Sequence, residues 1–163
     1  MRSKSFDLRP PRDVAIDLLA RRDYSSLALA RKLREKGYPP EDVEGVVADL
    51  RERGYLDDRR LADNLASSRL AQGAGVGRVL EMKLRQRGIP EEMAREAVER
   101  AQRGGDTRSL ARMLLEKRYP GVTASGDQTL LRRAIDFLRR RGFGYDDILH
   151  ALGRGGEDDD DRQ

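Results

Sequence analysis

Leu33-Arg34-Glu35-Lys36-Gly37-Tyr38, Leu84-Arg85-Gln86-Arg87-Gly88-Ile89 and Leu138-Arg139-Arg140-Arg141-Gly142-Phe143 are one phrase written three times. The glycines stand 51 and 54 residues apart. A related fourth phrase, Leu50-Arg51-Glu52-Arg53-Gly54-Tyr55, closes the next helical stretch. Each phrase reads as the end of a helix. The leucine is the last core contact, and the basic residues after it suit the negative end of the helix dipole. The glycine supplies the left-handed position just past the helix, and the following apolar residue packs back on it. A phrase repeated at this interval marks a chain of tandem supersecondary units.

Working outward, the apolar residues keep helical spacing. Val43, Val46, Val47 and Leu50 fall at i, i+3, i+4, i+7 behind Pro39-Pro40 and the acids Glu41 and Asp42, a helix start with its dipole matched. Met93, Ala94, Ala97, Val98 and Ala101 repeat that pattern after Pro90-Glu91-Glu92. Asp57 is placed to cap a helix carrying Leu61, Ala62 and Leu65, and Ser25 or Ser26 to cap one carrying Leu29, Ala30 and Leu33. No useful stretch alternates with period two. The spacing predicts nine helices, over about 12–22, 26–36, 40–53, 58–72, 76–87, 90–103, 107–118, 127–141 and 145–152. The fold expected is all-α: three tandem three-helix, helix-turn-helix-like repeats in an elongated, curved arrangement. Their limits are 1–55, 56–104 and 105–152, followed by an acidic tail at 153–163 that lacks apolar residues and reads as disordered. Gly73-Ala74-Gly75-Val76-Gly77 lacks the Gly-Lys-Ser/Thr of a phosphate loop and reads as a hinge.

Composition narrows the function. Of 163 residues, 37% are hydrophobic, 38% are charged, and tryptophan is absent. Mean hydropathy is −0.77, and no stretch approaches the ~18 apolar residues of a membrane span. With no cysteine and His150 as the one histidine, disulfide frameworks, thiol nucleophiles and histidine-based metal clusters or triads drop out. The sequence calls for no cofactor, no metal and no enzyme activity. Met1–Asp7 shows no apolar leader core, so a cytoplasmic protein is expected. Net charge is +4, unevenly spread. Glu157–Gln163 holds five acids and one arginine, whereas the other 156 residues hold 32 basic against 24 acidic side chains, or +8. A basic body points to a polyanionic partner, although 28 of the 33 basic residues are arginine, a bias that coding composition alone can produce.

The side chains that stand out are basic. Arg31, Lys32 and Arg34, then Arg78 and Arg85, then Arg133 and Arg140, fall on or near the second helix of each module. Singly, each is an ordinary solvent-facing residue at a helix end. Recurring at ~50-residue intervals, they form a stripe that reads as an interaction surface. The tempting carboxylate pair, Asp57-Asp58, consists of neighbours that do not face one another on a helix, and reads as an N-cap with a second dipole-favoured acid.

Taken in order, Arg21-Arg22-Asp23-Tyr24-Ser25, Lys32–Tyr38 and Gly54-Tyr55-Leu56-Asp57-Asp58 with Leu61-Ala62 resemble the bacterial regulatory protein RecX family. Leu84–Ile89 resembles that family's second repeat, and Arg140–Phe143 with Asp147-Ile148 its third; the likeness covers about 13–152. The resemblance implies tandem three-helix repeats and a protein that binds RecA along the RecA–single-stranded DNA filament, while the repeated modules, which offer nearest-neighbour contacts rather than a shared centre, predict a monomer. It further implies suppression of RecA strand exchange, ATPase and coprotease activities. On that reading the seven basic residues are candidate RecA or DNA contacts. The alternative is a protein binding DNA directly through one helix-turn-helix, usually as a symmetric dimer; three equivalent modules favour an extended partner instead. One departure concerns the second helix. The family often carries Glu shortly after the Ser cap, closing a capping box, whereas Ala28 here cannot close one.

Overall fold

The computed structural model of the chain describes residues 9–123 and 126–154. Its helices are α1 Pro11–Arg21, α2 Ser26–Glu35, α3 Pro40–Glu52, α4 Asp58–Ala71, α5 Gly77–Gln86, α6 Glu91–Arg103, α7 Thr107–Arg118, α8 Gln128–Arg139 and α9 Tyr145–Ala151. Among the described residues there is no strand. Every helix lies within two residues of its expected span. Most of the expected acidic tail, 155–163, is outside the described residues.

The repeated phrase closes its helices as expected. Tyr38, Ile89 and Phe143 donate their backbone N–H to the carbonyls of Leu33, Leu84 and Leu138 at 3.3, 3.2 and 3.3 Å. Gly37, Gly88 and Gly142 donate to Arg34, Arg85 and Arg139, which completes the paired-bond glycine cap. All three glycines and Gly54 have positive φ. The fourth phrase departs in one respect. Tyr55 is exposed, and Leu56 is the residue buried against the core. Both bond the Leu50 carbonyl, so the chain turns one residue further before the apolar side chain points inward.

Extensive helix packing stays within α1–α3, α4–α6 and α7–α9, giving three triplets in series. The buried apolar residues, however, divide the chain in two. Val14, Ala15, Leu29, Leu33, Val43, Leu50 and Leu56 form the core of the first triplet. A second, continuous core runs from Leu61 to Leu152 and joins the second and third triplets through residues such as Leu80, Leu84, Leu114, Phe137 and Leu138. Each fully buried leucine contributes roughly 1.5–3 kcal/mol relative to exposure, so the larger cluster ties these two triplets firmly together.

Neighbouring triplets meet by one device used twice. The glycine turn after the middle helix of one triplet rests on the first turn of the middle helix of the triplet before it. At the first joint, the Ser25 hydroxyl donates to the Arg87 carbonyl at 2.9 Å while accepting from the Ala28 N–H at 3.1 Å. At the second, the Val76 N–H donates to the Arg141 carbonyl at 2.8 Å. Both glycine turns come too close for a side chain. A Cβ at Gly88 would lie 2.5 Å from the Ser25 hydroxyl oxygen, and one at Gly142 2.5 Å from the Val76 carbonyl oxygen. The expected hinge at 73–77 is therefore a packed seam. Gly73, Gly75 and Val76 are buried, and the Arg141 Nε donates to the Gly73 carbonyl at 2.9 Å.

Asp57 and Asp58 do different jobs. Asp57 caps its own helix, accepting from the Arg60 N–H at 2.9 Å. Asp58 accepts from the Ser26 N–H at 2.7 Å, satisfying an orphan donor of α2 from another triplet. The donor it takes is the one next to the Ser25 N–H that a capping-box glutamate would have accepted from, so the start of α2 gains a partner from outside the helix. Ala28 also lies where a larger residue would crowd the Gly88 turn.

Candidate interaction surface

The middle helices α2, α5 and α8 each bury two leucines of the repeated pattern, leaving the basic residues around them toward solvent. Leu29 and Leu33, Leu80 and Leu84, and Leu131 and Leu138 are buried. Arg31, Arg34, Arg78, Arg85, Arg133 and Arg140 are exposed, and Lys32 is half-buried. In the first two triplets most of these cations have partners. Lys32 and Arg31 lie 3.0 and 3.9 Å from the Glu35 carboxylate, Arg34 is 3.6 Å from Glu44, and Arg85 is 3.4 Å from Glu91. The hydrogen bond and charge of Lys32, then the charge of Arg31, hold the Glu35 carboxyl below its ordinary range. Exposed pairs of this kind are weak and can be exchanged for a stronger anion. Arg78, Arg133 and Arg140 make no ion pair with a described acid.

Counting back from the last leucine of each phrase shows which positions correspond. Arg34, Arg85 and Arg139 are equivalent, and so are Arg78 and Arg132. Arg133 corresponds to Ala28 and Val79, the residues lying under the next triplet's glycine turn. It therefore sits at the open end of the series, out of line with the stripe. Terminal repeats characteristically carry polar residues where internal ones pack.

Sequence reasoning missed Arg87, the residue before the glycine in the second phrase. It read as one more dipole-matched residue at a helix end, like its counterpart Arg141. In the structure the two diverge. Arg141 folds its guanidinium 3.8 Å from the Phe137 ring centroid, whereas Arg87 is exposed and makes no ion pair with a described acid. A cavity of about 450 Å³ between α4, α6 and α7 shares no residue with the basic stripe. Leu70, Ala71, Ala101 and Leu110 are among the residues that line it. No group of three or more His, Cys, Asp or Glu among the described residues could hold a metal. No described helix is long and apolar enough to cross a membrane.

Three family profiles match the chain in order: RecX, first three-helix domain, over 12–50; RecX, second three-helix domain, over 57–98; and RecX, third three-helix domain, over 106–152. The protein called Regulatory protein RecX from Trichlorobacter lovleyi is 38% identical over 139 residues, covering 85% of this chain and 90% of the relative. That from Halorhodospira halophila is 37% identical over 149 residues, covering 91% and 90%. Among solved structures, the crystal structure of RecX from Lactobacillus salivarius superposes with a TM-score of 0.73 at 16% identity, covering 88% of this chain and 92% of that one. At that identity it speaks for the fold.

Proposed function

Because the chain belongs to the RecX family of regulatory proteins, we propose that it modulates the RecA recombinase by lying along the RecA–single-stranded DNA filament. The effect is inhibition of strand exchange, ATPase and coprotease activity, exerted in the cytoplasm and without chemistry of its own. The observation that carries this reading is the serial arrangement of three triplets, each offering cations on its middle helix. A filament is itself periodic. A chain whose modules, bounded at 1–55, 56–104 and 105–152, each make a weak contact can gain avidity along it without one strong site. Arg31, Lys32, Arg34, Arg78, Arg85 and Arg140 supply those contacts, with Arg133 at the end of the series. Phosphate contacts release counterions, so the effect weakens steeply with salt.

The test is RecA ATP hydrolysis on single-stranded DNA, with the protein titrated in across a salt series. The expected result is inhibition at low salt that fades as salt rises, and that is impaired by Arg31→Glu, Arg85→Glu and Arg140→Glu combined. A wild-type protein that leaves hydrolysis unchanged at low salt, yet binds duplex DNA on its own, would replace this reading with direct DNA binding.

A further inference from the structure

Two clefts open on either side of Arg87. One, of about 260 Å³, lies across the joint between the first two triplets, and Arg22, Tyr24, Arg31, Lys32 and Arg87 contribute to its walls. The other, of about 210 Å³, lies between α4 and α5, with Arg69, Lys83 and Arg87 around the apolar floor of Leu65 and Leu84. Both are lined by Gln86 and Arg87, so they adjoin. Around the two clefts stand six cations and two acids, Asp23 and Glu35. Glu35 is already engaged by Arg31 and Lys32. The second cleft has no carboxylate in its lining. Arg22, Arg69 and Arg87 make no ion pair with a described acid. The Arg22 guanidinium lies 4.4 Å from the Tyr24 ring centroid, holding a planar cation against an aromatic face at the rim.

We propose that the two clefts form one track for the phosphodiester backbone of a single strand of nucleic acid, crossing the first joint with Arg87 between successive phosphates. The chemistry fits in three ways. Forked guanidinium donors suit phosphate oxygens. A positive groove beside an aromatic ring is the usual means of holding a single strand without reading its sequence. Clefts of about 260 and 210 Å³ each have room for a phosphate and its flanking sugar, where a duplex would need a broad open face. The second joint offers no counterpart, because Arg141, at the position of Arg87, is folded onto Phe137 and the Gly73 carbonyl. The inference rests on the proposed function in one respect: the ligand is taken to be the nucleic-acid component of the filament.

The experiment follows the fluorescence anisotropy of a labelled oligothymidylate with the full-length protein and no RecA, over a salt series. Arg22→Gln with Arg87→Gln, and separately Arg69→Gln with Arg87→Gln, are compared with Arg112→Gln plus Lys117→Gln. That control removes the same charge from the exposed face of α7. Each cleft pair should weaken binding about tenfold at low salt and reduce the salt slope by ~1.4, the value for two lost single-strand phosphate contacts. The control should leave the slope close to wild type. Equal losses in all three variants, or none in the cleft pairs, overturn the track. A wild-type protein that inhibits RecA but binds no oligonucleotide overturns the track and leaves the regulator reading standing. Binding without inhibition does the reverse.

Discussion

At the first joint Arg87 lends its backbone carbonyl to the buried Ser25 hydroxyl and leaves its guanidinium at the surface. At the second, Arg141 lends its carbonyl to the Val76 N–H and tucks its guanidinium against Phe137. The backbone device is the same, but the packing behind it differs. Across the second joint the apolar core is continuous, whereas the first triplet keeps a core of its own. Its joint is held by the polar contacts of Ser25 and Asp58 at the start of α2. A repeated turn therefore sets the register between triplets, while the residues around it decide whether a joint is rigid or open to a ligand. The second joint spends its arginine on packing, and the first keeps its arginine for solvent.

The sharpest way to break this comparison is at Gly142. With φ at 89° and a backbone oxygen 2.5 Å from the missing Cβ, Gly142→Val must force the second and third triplets apart. We expect a loss of roughly 3 kcal/mol, combining the left-handed backbone penalty with overpacking against an atom that cannot rotate away. For a unit of this size, that lowers the melting temperature by at least ~10 °C by far-UV circular dichroism. An unchanged melting temperature would show that the second joint does not depend on the glycine turn.

Gly88→Val should cost less, about 2 kcal/mol, because the nearest atom belongs to a side chain rather than to the backbone, and displacing it breaks the Ser25 bonds that hold the first joint. The shape of the transition sharpens the comparison more than its midpoint does. Releasing the first triplet leaves both cores intact, so unfolding should separate into two steps, the earlier one belonging to residues before 57. Amide hydrogen exchange reads this directly: faster exchange confined to α1–α3 is the expected outcome, and uniform loosening of α1 through α9 would contradict it.

The smallest effect is the pH dependence of a cap beyond both joints. Asp106 caps α7, and its carboxyl is held below the ordinary value of 3.8, chiefly by the Ser109 hydroxyl and then by the Ser109 N–H. A depressed carboxyl contributes stability that is complete above the unfolded value and is lost as pH falls through the folded one. Acid should therefore loosen α7 in that window, and Asp106→Asn should flatten the dependence there while leaving α2 protection unchanged. A variant as acid-sensitive as wild type would rule Asp106 out as the source.

Much of the fold was legible because it is local. Helical spacing, proline starts, aspartate and serine caps and glycine stops act within five residues, and they located the nine helices of the described residues. The candidate stripe was legible for the same reason: once the leucines of α2, α5 and α8 face inward, the intervening cations must face out. Arg133 faces outward as expected, but its correspondence to Ala28 and Val79 emerges only when the triplets are compared, because nothing within its helix distinguishes an outward position from one on which a glycine turn packs.

The sequence by itself determined the helices, three of their four repeated closing turns and the face each helix buries, since backbone hydrogen bonding and periodicity over a few residues suffice for that. Only the tertiary structure decided that Asp58 caps a helix 32 residues away, that the glycine-rich 73–77 stretch is a seam, and that Arg87 and Arg141 part company. These outcomes turn on which surface a turn meets when it lands. The ring itself is local, since Phe137 stands four residues before Arg141 where Lys83 stands four before Arg87. The Gly73 carbonyl that also holds the Arg141 guanidinium is 68 positions distant, and no local pattern carries that contact.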